Sequence, residues 1–544
     1  MPRRFVQVAA LGVGLLASGA AAQTVASGPA LTTRLPDGTG NSVLVLEAEA
    51  GRLLAGPRLI IVAPDGTVRF AGADDAFDPP TAIDPRVFAL AAQGDRIWAG
   101  LGFSDFAADA DEPPPTAAGF ALSTDGGQTW RRRFAALDQT SDTLVTYGVS
   151  TLRAVPTLAP QGAAPLDLAL DASGDTLYAA LGLAGLRRTT DGGATWRRIV
   201  LPPDSLTVLD PRDAQTFAYS PGQIEPSEPG DPAGSIRIAF ASSNFIAYSV
   251  LVDEAGTVWA GTANGLNRSV RLPGVTDLAW LRYLDSPLGN APSGNLIYAL
   301  AAQPDTTGPD PVWIASWNSG LPGSSADEED GVTVWRGDDA DGFAVFETVL
   351  LGVRAYGFAF EPGRAYVATG RDGLQITDDG GTSWRAVRTF RDAEGRALPL
   401  RTDVGVFAVA VAPTGLWAGT SDGLLRSCDR GATWELFRAS PSPGVDADSA
   451  AVDVYAYPNP FRPGTDRQVR VRFDLGAPGA ATLRVFDVSM RPVRTIDVSG
   501  RPAGANEVLW DGLSDGGLRV ANGAYIYVLD ADGRQRSGRL LVFE

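Results

Sequence analysis

The chain has 544 residues, which is enough for one large repeat domain and a smaller one, and it carries a net charge of −18. It has no histidine, its 45 basic residues are all arginine, and Cys428 is its one cysteine. These absences exclude Ser-His-Asp and Cys-His catalysis, lysine Schiff bases, the P-loop lysine, histidine-ligated zinc and an internal disulfide. The negative charge argues against nucleic acid as a partner. Carboxylate, tyrosine and arginine chemistry remain; we predict no cofactor, although calcium held by oxygen ligands stays open.

The N-terminus has the features of a secretory signal peptide, over residues 1–22. Arg3 and Arg4 form a basic start, residues 6–17 are an apolar stretch, and Ala20 to Ala22 offer a small-residue cleavage site. The apolar run is too short to be assigned as a membrane span. We therefore expect a mature protein that begins near Gln23, leaves the cytoplasm and has no transmembrane span.

An eight-residue pattern, Ser/Thr-x-Asp-x-Gly-x-Thr/Ser-Trp, occurs four times in residues 23–438. Its Asp and Gly are typical of a tight turn, because the carboxylate accepts backbone N–H bonds and glycine tolerates a positive φ. Its Trp begins the next strand and can cover the turn. We call these segments the octets. Their invariant positions are Ser123, Asp125, Gly127 and Trp130; Thr189, Asp191, Gly193 and Trp196; Thr377, Asp379, Gly381 and Trp384; and Ser427, Asp429, Gly431 and Trp434.

A second repeated element, an apolar strand, a turn and then an aromatic residue followed by small residues, precedes three octets, at 167–181, 355–370 and 407–420. It recurs where the octet is missing or displaced, at 96–103, 258–269 and 311–318, and a first unit lies at 42–56. We interpret residues 328–335 as the relic of a further octet. This periodicity predicts about seven units of several short strands each, the pattern of propeller blades.

The octets resemble the Asp-box repeat, also called the BNR repeat, of sialidase-type β-propellers. The resemblance implies an all-β fold in which each octet closes an outer hairpin, away from the axial ligand site. It therefore implies that the octet aspartates are structural. We predict no catalytic residue among them.

Five candidate inner strands, at 87–93, 167–172, 248–254, 297–303 and 407–413, carry almost no ionisable side chains, so we expect an apolar axis. Function would then lie on the loops that the blades carry. Several loops are acidic, at 105–112, 324–331 and 337–342, and we interpret them as solvated segments, with calcium or ligand binding as the alternative.

Three functions stay open for the propeller: a non-catalytic scaffold that binds a glycan or a protein, a carboxylate-dependent glycoside hydrolase, and a purely structural surface protein. Asp-box propellers include sialidases and xyloglucan-hydrolysing enzymes, and Arg34-Leu35-Pro36 resembles the Arg-Ile-Pro motif of sialidases. The xyloglucan enzymes have two propellers, and this chain has residues for one. A hydrolase needs two carboxylates roughly 5 to 9.5 Å apart on an open face. We favour the binding scaffold.

Residues 439–453 form a polar linker, and seven strand-like runs follow it in residues 454–544. Most runs alternate apolar and polar residues between Gly, Asp and Pro turns, which predicts a small β-sandwich. The motif residues of this segment are Tyr457, Pro458, Asn459, Pro460 and Phe461, then Trp510, Asp511 and Gly512, then Gly523 and Tyr525.

This segment resembles the C-terminal sorting domain of type IX secretion cargo, which shares an Ig-like, FlgD-like fold with the flagellar hook-capping protein. The resemblance implies passage through the periplasm and export by the type IX machinery. It also implies a secreted or outer-surface location and a Bacteroidetes-like source. A plain Ig-like spacer is the alternative. The aromatic residues of the motif are most simply core.

Overall fold

The structure is a computed structural model. It describes residues 34–35, 42–57, 59–70, 86–103, 115–220, 223–225, 237–239, 242–305, 308–320, 328–398, 400, 404–439, 454–457, 459–463, 466, 468–475, 477–501, 504–531 and 533–543. The expected signal peptide, the linker from residue 440 onwards and the acidic segment 105–112 lie outside these ranges.

Seven antiparallel sheets of four consecutive strands follow one another along the chain, so the predicted seven-bladed β-propeller is confirmed. The strands of blades 1 to 4 are Val45–Glu49, Arg52–Gly56, Ile60–Val62 and Val68–Phe70; Arg86–Gln93, Arg96–Phe103, Thr116–Ser123 and Arg131–Arg133; Asp167–Leu170, Leu177–Ala180, Leu186–Thr189 and Arg197–Arg198; and Ala247–Val252, Val258–Thr262, Gly265–Val270 and Ala279–Tyr283. Those of blades 5 to 7 are Leu296–Ala302, Val312–Trp317, Gly331–Asp338 and Ala344–Leu351; Gly357–Glu361, Arg364–Ala368, Leu374–Thr377 and Arg385–Val387; and Val406–Ala412, Gly415–Thr420, Gly423–Ser427 and Glu435–Ala439.

A few short elements lie outside the four-stranded pattern. They are the hairpins Leu144–Tyr147 with Ser150–Arg153 and Gln223–Glu225 with Arg237–Ala239, the strand Val208–Leu209 on the outer edge of blade 4, and the 3-10 turn Ser243–Phe245. Among the described residues, no helix is both long and apolar enough to cross a bilayer.

The N-terminal strand Arg34–Leu35 closes the ring. It pairs in parallel with the outer strand of blade 7, with Arg34 opposite Arg438 and Leu35 opposite Ala439. The Val43 N–H then donates to the Thr420 carbonyl at 2.8 Å, just before blade 1 begins. The first and last blades are therefore joined by backbone hydrogen bonds.

The repeated aromatic residue of the sequence lies on the second strand of its blade, where it is nearly or fully buried. Six blades share this feature, through Trp98, Tyr178, Trp259, Trp313, Tyr366 and Trp417. Burying one large apolar side chain stabilises a fold by about 1.5–3 kcal/mol, so this position contributes strongly to the packing between blades.

All four octets form the same turn between the third and outer strands of blades 2, 3, 6 and 7. In blade 3 the Thr189 hydroxyl donates to Asp191 at 2.8 Å and accepts the Gly193 N–H at 3.0 Å. The Asp191 carboxylate also accepts hydrogen bonds from the N–H and the hydroxyl of Thr195, at 2.9 and 2.6 Å. One carboxylate therefore satisfies most of the polar groups of its turn. The interpretation of residues 328–335 as a relic octet is wrong, because Gly331–Asp338 is a strand and its turn follows it.

Each octet also packs against the preceding blade, which explains its second glycine. Gly127 has a φ of 81°, and a Cβ there would lie 2.5 Å from Ile61 in blade 1. The Arg69 guanidinium of blade 1 donates to the carbonyls of Gly126 and Gly127 at 2.9 and 2.7 Å, and Arg133 of blade 2 likewise reaches the octet of blade 3. The octets thus join neighbouring blades.

The C-terminal segment is a sandwich of two sheets, as the sequence predicts. Its strands are Val454–Tyr457, Val469–Leu475 and Gly504–Trp510 in one sheet, and Gly479–Asp487, Pro492–Arg501, Gly523–Ala531 and Arg534–Val542 in the other.

Motif residues of the sandwich contribute to its core and turns. Phe461, Trp510 and Tyr525 are buried, with ring centroids 6.2 Å apart for Phe461 and Trp510. Asn459 bonds the backbone of Arg539 and Leu541 at 2.9 Å each. Pro458 lies outside the described residues.

One ion pair joins the sandwich to the propeller. Arg470 of the sandwich donates to Asp422, in the turn between the second and third strands of blade 7, and both side chains are buried. Arg470 also lies 3.5 Å from Glu507, which accepts a hydrogen bond from the Tyr457 hydroxyl. The contact lies on the propeller face opposite the octets.

The octet carboxylates can be tested for a stabilising role with Asp191→Asn. Hydrogen bonds lower the pKa of Asp191 to about 2, so its stabilising effect is complete above the unfolded-state value near 4 and decreases as the pH falls towards 2. We expect the substitution to lower the free energy of unfolding by about 1 kcal/mol at pH 7, and by less at pH 3. Denaturant titrations at both pH values measure this. The control is Asp341→Asn, because the Asp341 carboxylate is exposed and makes no hydrogen bond or ion pair with the other described residues. Equal losses at the two pH values would contradict it.

Candidate functional site at the propeller axis

The consecutive antiparallel strands place the octets and the longest loops on opposite faces of the propeller. The octets occupy turns from third to outer strands. Most of the long connections, such as 134–166, 199–246 and 388–405, run from an outer strand to the next inner strand and so emerge on the other face. The sequence predicts that function lies on the loops. The functional site should therefore lie on that second face, around the axis.

Four half-buried aromatic side chains from blades 5, 6 and 7 form a continuous cluster where the axis opens on this loop face. Tyr298 stacks on Trp317 with ring centroids 4.0 Å apart and an interplanar angle of 7°. Tyr356 contacts both edge-on, at 5.5 and 5.1 Å, and Phe407 contacts Tyr356 at 5.0 Å. We call Tyr298, Trp317, Tyr356 and Phe407 the aromatic mouth.

Glycines and one hydrogen bond hold the aromatic mouth in place. A Cβ on Gly370 would lie 2.8 Å from the Tyr356 ring, and one on Gly405 would lie 2.7 Å from the Phe407 ring. The Trp317 indole N–H donates to the Ala355 carbonyl at 2.9 Å. These constraints pre-organise the rings, which lowers the entropic cost of binding a ligand.

Two inner strands carry half-buried carboxyl groups that interact electrostatically, and one of them, Asp167, also acts on Tyr298 of the aromatic mouth. Asp167 begins the inner strand of blade 3 and accepts the N–H groups of Leu168 and Val250, both at 2.9 Å. Glu47 lies in the inner strand of blade 1 and makes no hydrogen bond with the described residues. Burial raises the pKa of Asp167 to about 7 and that of Glu47 to about 8.

The two carboxyls and the mouth influence one another electrostatically. After burial, the charge of Asp167 is the largest cause of the raised pKa of Glu47, followed by Glu49. Burial raises the pKa of Tyr298 to about 12, with contributions from Tyr356, Tyr248 and Asp167. Both shifts favour the protonated carboxyl at pH values where an exposed carboxyl would be ionised. Such a pair can donate and accept a proton.

The expectation of an apolar axis is wrong at these two positions. Asp167 stands in one of the five strands on which that expectation rests, and Glu47 lies outside them, in the first unit. The alternation of the segment VLEAE, with Glu at every second residue, could have indicated that both glutamates share one face of a strand.

The other predicted site residues lie away from the axis. Arg34 belongs to the outer edge strand of blade 7, so the structure does not support a sialidase-like role for it. Hydrogen bonds hold the pKa of Asp379 near 2, as for Asp191, and lower those of Asp125 and Asp429. The octet aspartates are thus ionised acceptors on the opposite face.

The geometry gives little support for a calcium site or for a functional role of Cys428. Within the described ranges, no three His, Cys, Asp or Glu side chains are grouped to hold a metal ion. Residues 337–342 are the end of the third strand of blade 5 and the turn after it, in which Asp339 accepts the N–H groups of Asp341 and Phe343. Cys428 is exposed and unpaired with any cysteine.

Comparison with known proteins identifies one domain. Residues 461–535 match the family model of the FlgD Ig-like domain, which agrees with the sandwich. No curated protein matched the chain.

Solved structures with similarity to the chain include propellers at low identity. PorZ, a surface component of the type IX secretion system of Porphyromonas gingivalis, is 15% identical with a TM-score of 0.36; the match covers 92% of this chain and 66% of PorZ, just under two thirds. A GH74 enzyme from Niastella koreensis is 12% identical, with 94% and 73% coverage and a TM-score of 0.46. YCF48 from Cyanidioschyzon merolae is 16% identical, with 72% and 96% coverage and a TM-score of 0.42. Similarity at this level says nothing about activity, ligand or partner.

The half-buried carboxyl of Glu47, whose pKa is raised by burial, predicts a characteristic dependence of stability on pH. Its pKa is higher in the folded than in the unfolded protein, so wild-type stability falls as the pH rises from about 4 to 8. Glu47→Gln should remove this cost and raise the free energy of unfolding by more than about 1 kcal/mol at pH 8, relative to its effect at pH 5. Urea titrations at both pH values test this. The control is Glu254→Gln, because Glu254 is exposed in the turn after the inner strand of blade 4; a pH-independent effect of Glu47→Gln would refute the assignment.

Proposed function

We propose that this chain is an exported propeller protein that binds an extracellular ligand, most simply a glycan, at the aromatic mouth. The observation that carries the proposal is the parallel stack of Tyr298 on Trp317, beside Tyr356 and at the entrance of the axis. Rigid, half-buried rings with a few polar groups nearby are typical of small-ligand sites. A sugar ring presents an apolar C–H face that fits such a platform, and its hydroxyls can bond the neighbouring carboxyls.

Binding without catalysis is favoured by the hydrogen bonds of Asp167. One oxygen accepts the N–H of Leu168 and the other accepts that of Val250 in the next blade. A carboxylate that is fixed by two backbone donors is oriented for support of the scaffold. Within this pair, Glu47 is then the carboxyl that no hydrogen bond to a described residue holds in place.

Glycoside hydrolysis is a second candidate, favoured by the raised pKa values of Glu47 and Asp167. Acid/base cleavage of a glycosidic bond requires one protonated carboxylic acid and one carboxylate, and an interacting pair with raised pKa values can supply the acid. In this case Glu47 would protonate the leaving oxygen and Asp167 would be the base or nucleophile.

A glycan array and a hydrolysis screen on the full mature chain separate these functions. We expect binding without turnover, and we expect Trp317→Ala to weaken binding at least about tenfold, because it removes the platform beneath Tyr298. Phe134→Ala is the control, since Phe134 is 89% exposed and lies after the outer strand of blade 2.

Other outcomes of this screen exclude or replace the proposal. Turnover that is lost in Glu47→Gln would establish the hydrolase in its place. Absence of any bound glycan would favour a protein ligand or the purely structural role.

We further propose that residues 454–544 direct export through the type IX machinery to the outer surface or beyond. The support is the match of residues 461–535 to the FlgD Ig-like domain and the secretory features of residues 1–22. Within the propeller, the octets support an Asp-box assignment, because their shared turn lies far from the axis. In this proposal the sandwich is the signal that directs export, and its motif residues form its hydrophobic core.

Deletion of residues 454–544 tests the export proposal in a host with a type IX system. We expect the truncated protein to accumulate in the periplasm, because the signal peptide still acts while the outer-membrane step fails. A reporter protein fused to residues 439–544 and the same signal peptide should reach the surface. Unchanged surface delivery of the truncated protein would exclude the sorting role and leave an Ig-like spacer.

A further inference from the structure

A small cleft lies on the side of the propeller, between blades 3 and 4 and away from the axis. It encloses about 340 Å³, including the part that opens to solvent. Its lining comes from the third and outer strands of blade 3, the outer strand of blade 4 with the turn before it, and the hairpin at residues 144–153. The polar lining residues are Thr146, Arg188, Arg197, Arg198, Thr276 and Asp277.

The arginines of this cleft come from cross-strand pairs in blade 3. Arg187 lies opposite Arg198, and Arg188 lies opposite Arg197. Side chains at directly opposed positions share one face of the sheet, so the two pairs point in opposite directions.

The first pair is neutralised by Asp138, which lies 2.6 Å from Arg187 and 2.7 Å from Arg198. In the second pair, Arg197 lies 2.8 Å from Asp277 of blade 4. Arg188, which is half-buried, makes no hydrogen bond or ion pair with any described residue.

The charge around the cleft contrasts with the charge of the whole protein. On the face of blade 3 that carries Arg188 and Arg197, two guanidinium groups share one carboxylate, that of Asp277, so positive charge is in excess here although the chain carries −18. A free guanidinium held beside a second one, in a partly enclosed cleft, favours a bound anion.

A second, independent observation comes from Trp280. This side chain lines the cleft and is 1% exposed, and its indole Nε1 has no hydrogen-bond partner among the described residues. A buried donor without an acceptor is costly, and an acceptor in the cleft would remove that cost. Ile199, Val200 and Leu278 supply an apolar floor.

We propose that this cleft is an oxyanion-binding site, in which Arg188 is the principal ligand and the indole N–H of Trp280 a supporting donor. The occupant is a compact sulfate, phosphate or carboxylate group carried by a small extracellular ligand. Because the cleft is small and partly open, the anionic group would lie between the strands while the rest of the ligand stays in solvent. The site is separate from the aromatic mouth, since its lining comes from outer strands.

Calorimetric titration of the full mature protein tests the site with three probes, sodium sulfate, sodium phosphate and sodium glucuronate, each at an ionic strength held constant with chloride. We expect one binding site for at least one probe, and the probe that binds identifies the source as an ester or a carboxylate. Arg188→Gln should weaken that binding at least about tenfold, because it removes a charge-assisted contact. Trp280→Phe, which keeps a ring but removes the N–H, should weaken it by a smaller factor.

Arg131→Gln is the matched control, because Arg131 is an exposed arginine that follows the octet of blade 2 as Arg197 follows that of blade 3. It should bind like the wild type, as should Trp317→Ala, so the result is independent of the function proposed for the mouth. Unchanged thermal unfolding of Arg188→Gln verifies its fold. Absence of binding for all three probes, or wild-type affinity in Arg188→Gln, would overturn the proposal.

Discussion

The propeller depends on one recurring interaction, a carboxylate that gathers the polar groups of its own turn. In each octet the Asp accepts a hydroxyl from the residue two positions before it, and the N–H and hydroxyl of the residue four positions after it. The turn therefore needs no partner from outside for most of its donors. This self-sufficiency leaves its carbonyls free to accept arginines from the preceding blade.

The use of arginine as the only basic residue suits this contact between an octet and the preceding blade. Its planar fork can donate to two carbonyls at once, as Arg69 does to Gly126 and Gly127, and a lysine would reach them as a single point charge. The same fork holds Asp138 between Arg187 and Arg198. Arg188 departs from this pattern, because it belongs to the same strands and yet has no acceptor.

The two faces of the ring have different roles as a result. The octet face is filled by short, internally bonded turns, whereas the loop face carries the long connections, the aromatic mouth and the contact between Asp422 and Arg470. A ligand at the mouth would meet rings fixed by the scaffold and carboxyls whose protonation changes near neutral pH. Binding there should therefore respond to pH through Asp167 and Glu47.

The sequence by itself determined the repeat, the number of blades, the position of the octets on turns and the sandwich that follows. These follow from local chemistry, since a turn, a strand period or a buried aromatic is set by residues close in the chain. The axis and the cleft could not be predicted in this way. Glu47 and Asp167 are about 120 residues apart and belong to blades 1 and 3, while the cleft combines strands of blades 3 and 4 with a hairpin inserted between blades 2 and 3. Whether a charged side chain has a partner is decided by neighbours distant in sequence, and only the tertiary structure brings those neighbours together.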